Sequence, residues 1–201
     1  MNLCRWSSLM ALLFCLGTAA GCARSPKVTF YTLEPEAGAQ AAFSGTFSYT
    51  VAVGAITLPE VVDRQQLVVR GDGNRVDILE MHRWGGPLKY EIPRLLAENL
   101  RRLLGTERVS AYPQNAGRDA DFLVLVDIQR FEAAPGESVT VDALWTIRPT
   151  AGGASKTGRT LVREPVRGTG YDVIVAAYSR ALVTVSAAIA RAIRSDNPPP
   201  R

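Results

Sequence analysis

The 201-residue chain holds few side chains able to do chemistry: three cysteines, one histidine and a scatter of carboxylates. Cys4 and Cys15 sit in an apolar N-terminal stretch, and Cys22 directly follows the small residues Thr18-Ala19-Ala20-Gly21. His82 stands alone. A zinc site would have to be built from carboxylates around this one imidazole, so no metal site is expected. Asp72, Asn74 and Asp77 surround a turn, yet the glycine and distal glutamate of a calcium loop are misplaced. Arg70-Gly71-Asp72 spells an adhesion tripeptide but reads as a β-turn that needs Gly and Asp. Asp121 with Asp127 is an example of a carboxylate pair, but the two fall on or beside a predicted strand with no cleft signal to support them. There is no Gly-x-Ser-x-Gly elbow, no nucleophile beside a base and no phosphate-binding glycine loop. The expectation is therefore a protein that is no enzyme and needs no cofactor.

Residues 1–21 read as a targeting segment. Arg5 gives a weak positive start, and Leu9 to Gly17 is an apolar core too short to cross a bilayer as a helix. Thr18–Cys22 resembles the lipobox of bacterial lipoproteins, with Ala19 where Leu is usual; an ordinary secretory signal is the alternative. The resemblance implies that Cys22 carries a diacylglyceryl group, with palmitate among the acyl chains, and becomes the new N-terminus. Cys22 would then be the only cysteine left, and a lone thiol is otherwise odd in an exported protein. Two or more acyl chains anchor stably where one does not. Ala23 and Arg24 follow, with no Asp. By the bacterial sorting rule that favours the outer membrane, with the domain on its periplasmic face.

Removal of 21 residues leaves 180, enough for one domain of ordinary size. Arg5 is the only charge lost, so 22 basic groups face 19 acidic ones, a net +3 too small to demand nucleic acid. Residues 23–29 form a short tether, Val28–Leu33 can dock as a strand, and 34–45 read as a loop. Thr46–Val53 alternates as a half-buried strand. Val61 and Val62 fit either a helical turn or a strand end.

Apolar alternation in Leu67/Val69 and in Val76/Ile78 flanks Gly71-Asp72-Gly73-Asn74, which marks a hairpin. Trp84-Gly85-Gly86-Pro87-Leu88 is a corner. A helix is expected over Pro93–Leu104, with Pro93 at its first position and Gly105 as C-terminal cap. After a short strand at Arg108–Tyr112, Phe122–Phe131, Val139–Ile147 and Thr157–Val166 form an antiparallel meander. A final helix, Tyr171–Arg194, carries a broad alanine-rich apolar stripe suited to packing on a sheet. The fold class expected is α+β: a mostly antiparallel twisted sheet with two main helices on one face. The boundaries are 1–21 signal peptide, 22–45 acylated cysteine, tether, first strand and loop, 46–195 the α+β domain and 196–201 a disordered tail.

Thr57-Leu58-Pro59, the hairpin, Trp84, Pro87-Leu88 and Asn99-Leu100, in this order, resemble the PqiC/YmbA family of auxiliary lipoproteins of ABC-type and Mce-type intermembrane lipid transport systems. Phe30-Tyr31-Thr32-Leu33 and Gly170-Tyr171-Asp172 agree with it. The resemblance implies an adaptor lipoprotein, anchored through Cys22, that docks an Mce-domain (PqiB-like) partner, and a ring or other homo-oligomer is a further expectation. Trp84, Pro87 and Leu88 are the candidate partner-binding residues. Trp84 is open to two readings, core plug over the corner or exposed anchor, and core use is commoner. Two other functions suit an anchored α+β domain: regulation of cell-wall synthesis or a Tol-like envelope assembly, and direct lipid carriage in a cavity under the sheet.

Overall fold

Gly71-Asp72-Gly73-Asn74 turns the chain as its residue types require. Gly73 takes φ 63°, a left-handed conformation that glycine adopts without a Cβ clash. On either side β3 (Gln66–Arg70) and β4 (Val76–Trp84) pair antiparallel, Val68 opposite Ile78 and Arg70 opposite Val76. The computed structural model describes residues 26–35 and 47–196. The targeting segment, Cys22, most of the loop after Pro35 and the tail from 197 lie outside the described residues.

The remaining elements are β1 (Thr29–Tyr31), β2 (Val51–Thr57), α1 (Leu88–Leu104), β5 (Val109–Ala111), β6 (Phe122–Ala134), β7 (Ser138–Pro149), β8 (Lys156–Pro165) and α2 (Asp172–Asp196). The α+β class holds, and the strands divide into two hydrogen-bonded sheets where one was expected. The small sheet has the order β1-β4-β3 and the large one β5-β2-β6-β7-β8. The hairpin and the meander are antiparallel, whereas β1–β4, β2–β5 and β2–β6 are parallel. Parallel neighbours need a crossover, and α1 supplies the one between β2 and β5. Local turn residues announce hairpins, so the parallel pairings had no signal in the sequence.

Two boundaries move for physical reasons. Residues 47–50 precede β2 without regular structure, and Ala52 is buried along with Val51 and Val53. The strand is covered on both faces at its start, which erases the expected alternation. Helix α1 begins five residues before Pro93, at Leu88. Pro87 holds an extended φ −61°, ψ 128°, and its carbonyl accepts from Tyr90 and Glu91 N–H at 2.9 and 3.1 Å. Pro93 is therefore interior. The carbonyl it cannot serve belongs to Lys89, an exposed residue. Gly105 ends the helix as expected, left-handed at φ 68°, ψ 41°, with its N–H on the Arg101 carbonyl. Residues 60–65 form a turn, with Val62 and Asp63 N–H both on the Pro59 carbonyl.

Both helices cover one face of the large sheet. Leu96, Leu100, Leu103 and Leu104 of α1 are buried, as are Ile174, Ala177, Tyr178, Ala181, Val185 and Ile189 of α2. Each fully buried Leu or Ile contributes about 1.5–3 kcal/mol relative to exposure. By length and composition α2 could cross a membrane, but 61% of its apolar window is buried inside the protein. Its alanine stripe lets it serve as the core helix.

Candidate functional site

The corner Trp84–Leu88 sits where the small sheet, the large sheet and α2 meet. Trp84 is 5% exposed and Leu88 1%, so both face inward. The Trp84 ring lies 6.2 Å from Phe131 on β6 and 6.1 Å from Tyr178 on α2. Phe131 and Tyr178 stack face to face at 3.9 Å with 6° between their planes. Burial pushes the Tyr178 phenol far above its ordinary range, with the nearby negative Glu132 adding to this. The Tyr178 hydroxyl has no hydrogen-bond partner among the described residues. This aromatic junction locks three elements with apolar surface that no single element could bury.

Trp84 is thus the core plug of the two readings. Of the candidate partner-binding residues Trp84, Pro87 and Leu88, only Pro87 reaches the surface. The reason is geometric: β4 delivers Trp84 to the underside of the corner, and Leu88 opens α1 against the core.

The corner also fixes the first strand. Gly85 donates to the Tyr31 carbonyl at 2.7 Å, and a Cβ on Gly85 would lie 2.9 Å from the Thr32 side chain. Only glycine allows so close an approach. Arg94 of α1 donates to the Leu33 carbonyl at 3.0 Å and pairs with Glu91 at 2.8 Å. The Tyr31 hydroxyl meets His82 Nδ1 at 2.8 Å, and the His82 ring lies 4.2 Å from Tyr171. Partial burial, then the field of Asp172, then Tyr171 raise the Tyr31 phenol above its ordinary range. Phe30–Leu33, Trp84–Leu88 and Gly170–Asp172, far apart in sequence, therefore converge on one place. His82, which lies near the end of β4, is the contact between two of them. Flanking aromatics were the only available signal.

A groove opens beside this convergence. It runs between the strand segment Phe30–Pro35 and the helix residues Asp172, Val175, Ala176 and Ser179, with a volume near 410 Å³. Phe30 stands 64% exposed at its rim. The groove narrows where the Glu34 N–H donates to Ser179 Oγ at 3.2 Å. A second hollow of about 320 Å³ continues past Ala176 to Val173, Arg167, Glu164 and Arg180. Arg180 pairs with Glu164 at 2.7 Å.

Elsewhere polar residues hold the framework. Asp121 accepts from Thr50 N–H and Oγ1 at 2.7 and 2.8 Å, which lowers its pKa through the backbone bond first and the hydroxyl second. Asp127 accepts from Thr57 Oγ1 at 2.7 Å. The two carboxylates thus staple opposite ends of the β2–β6 pairing and do not act as a pair. Asn99, in the helix motif, is fully buried and donates across to Ser186 of α2 at 3.3 Å. Among the described residues no group of three His, Cys, Asp or Glu could hold a metal.

The family model of the ABC-type transport auxiliary lipoprotein component matches residues 31–190. A solved structure described only as an uncharacterized protein superposes with TM-score 0.68 at 19% identity, covering 84% of this chain and 99% of that one. Protein XCC0632 from Xanthomonas campestris, assigned to the family DUF330, gives 0.65 at 15% identity over 81% and 93% of the two chains. A PelC dodecamer from Paraburkholderia phytofirmans reaches only 0.42, at 15% identity over 72% and 95%. For the first two the likeness is one of fold. No curated protein matches the chain.

Proposed function

We propose, for a chain that belongs to the family of ABC-type transport auxiliary lipoprotein components, that it is an adaptor held to the periplasmic face of the outer membrane by acyl chains on Cys22. There it docks an Mce-domain protein of an intermembrane lipid transport system. The observation that carries this reading is the convergence of three segments that agree with the family, Phe30–Leu33, Trp84–Leu88 and Gly170–Asp172. What they build is a buried aromatic junction beside an open groove, suited to holding a surface in place and not to a reaction. Strand β1 begins seven residues after Cys22, so the groove stands within roughly 25 Å of an anchored N-terminus. The space under the large sheet is filled by α1 and α2 side chains, which favours docking over lipid carriage.

Two measurements test the reading. Cys22→Ala should release the domain into the soluble periplasmic fraction; retention in the membrane after a salt wash defeats the anchoring. Purification from detergent-solubilised envelopes should recover an Mce-domain protein. Recovery of cell-wall or Tol proteins in its place would move the role to envelope assembly.

A further inference from the structure

Among the described residues β1 is the outer strand of the small sheet, with no strand paired on its other edge, which borders the groove. Tyr31 lies opposite Trp84, and its carbonyl accepts from Gly85, so the polar groups of Thr29 and Tyr31 point toward β4. The pleat then turns the Phe30 N–H and carbonyl the other way. Further along, the Glu34 N–H points to Ser179 on α2. The segment 30–34 and the first two turns of α2 therefore run side by side, with the groove between them. The segment and the helix meet at the Glu34–Ser179 bond, so the part of the edge open to another strand is residues 30–32. An unpaired strand edge is a template for another strand.

The lining selects the occupant. Glu34 and Asp172 are both exposed and face the groove, and neither makes an ion pair among the described residues. Glu34 Oε1 accepts from Thr32 Oγ1 at 3.1 Å, which leaves its charge uncompensated, whereas the other carboxylates nearby are paired: Glu91 with Arg94 and Glu164 with Arg180. Phe30, Val175 and Ala176 supply apolar surface between the two charges. We propose that this groove takes an extended, basic segment of a partner protein as an added strand on β1, its cationic side chains meeting Glu34 and Asp172 and an apolar one resting on Phe30. Main-chain hydrogen bonds supply affinity in this mode and the alternate side chains supply selectivity. The proposal deepens the docking role above and rests on it for the identity of the partner.

The probe is a fluorescently labelled acetyl-Lys-Val-Lys-Val-Lys-amide, titrated by anisotropy against the full-length lipoprotein in detergent. Saturable binding is expected. It should weaken at least about tenfold for the Glu34→Lys/Asp172→Lys protein, for a Glu-Val-Glu-Val-Glu peptide and for a peptide N-methylated at alternate residues. All the substituted side chains are exposed, and an unchanged melting curve checks the fold. Binding that ignores both charge reversal and N-methylation overturns the proposal. So does displacement of the peptide by phosphatidylethanolamine added to the detergent micelles, with no sensitivity to N-methylation, which assigns the groove to a lipid headgroup. A photo-crosslinker at Phe30, used in envelopes, separates the two levels of the argument. If the wild-type and the double variant recover an Mce-domain protein equally, the groove is wrong and the docking role stands. If the peptide binds as expected and no Mce-domain protein is recovered, the groove stands and the partner is wrong.

Discussion

The two sheets of this domain divide its work. In the large sheet β7 buries Val139, Val141, Ala143, Trp145 and Ile147 against the helices. In the small sheet β4 leaves Val76 and Ile78 47% and 40% exposed; Leu79 packs on the core while half-buried, and Trp84 alone of the strand is buried. β1 adds a strand of three residues whose Phe30 faces solvent. The large sheet gains its stability from apolar area removed from water along most of its strands, whereas the small one joins the same core through Leu67 and Val69 of β3 and the Trp84–Phe131–Tyr178 junction. Such an arrangement lets a short edge strand be held firmly while its outer side stays free. The lesson is that the surface suited to recognition lies on the element that contributes least to the core.

Four substitutions would break or sharpen this contrast. Phe131→Ala removes the ring that joins both sheets to α2 and should cost about 3–5 kcal/mol in urea denaturation. A loss below 1 kcal/mol would mean that the junction does not couple the sheets. Gly158 on β8 lies opposite Trp145, whose ring occupies the place of a Cβ. Gly158→Ala should therefore displace the indole, break its 3.0 Å bond to Thr160 and cost about 1–3 kcal/mol.

Asp142 comes next. Its side chain is only 2% exposed because Arg159 lies over it, bonded at 2.9 and 2.6 Å. The covering group is a solvated guanidinium and not apolar core, so the carboxylate stays charged and its pKa falls, first through those hydrogen bonds. A carboxyl with a folded pKa below its unfolded value binds fewer protons when folded. Its stabilisation is full above the unfolded value near pH 4 and is lost as acidification passes the folded value. Asp142→Asn should cost about 1 kcal/mol at pH 7, with screening of the exposed arginine allowed for. The gap to wild type should close below pH 4, as read from melting curves across pH; a gap that stays constant would assign the loss to packing. The smallest effect is expected at Phe30→Ala, within about 0.5 kcal/mol of wild type. A larger loss would make Phe30 part of the framework and remove it from the recognition surface.

Much of this was legible in the residues. The hairpin, the meander and the long final helix announce themselves through turn glycines and apolar periodicity, because those signals act over a few neighbouring residues. Gly105 marked the end of α1 for the same reason. The start of α1 was less legible, since two prolines competed for it and only the Pro87 carbonyl contacts decided between them. Trp84, Leu88 and the signature segments were visible as residues, but not as an interior.

By itself, then, the sequence determined the α+β class, the family, the antiparallel strand pairs and the apolar faces of both helices. Tertiary structure alone decided that the strands split into two sheets with parallel crossovers, and that Tyr31, His82 and Tyr171 meet across 140 residues. It also decided that Trp84 points inward while Phe30 points out. The first group depends on backbone preferences and burial patterns within a few residues. The second depends on which surfaces remain to be covered once those elements form, a competition that no local window of sequence contains.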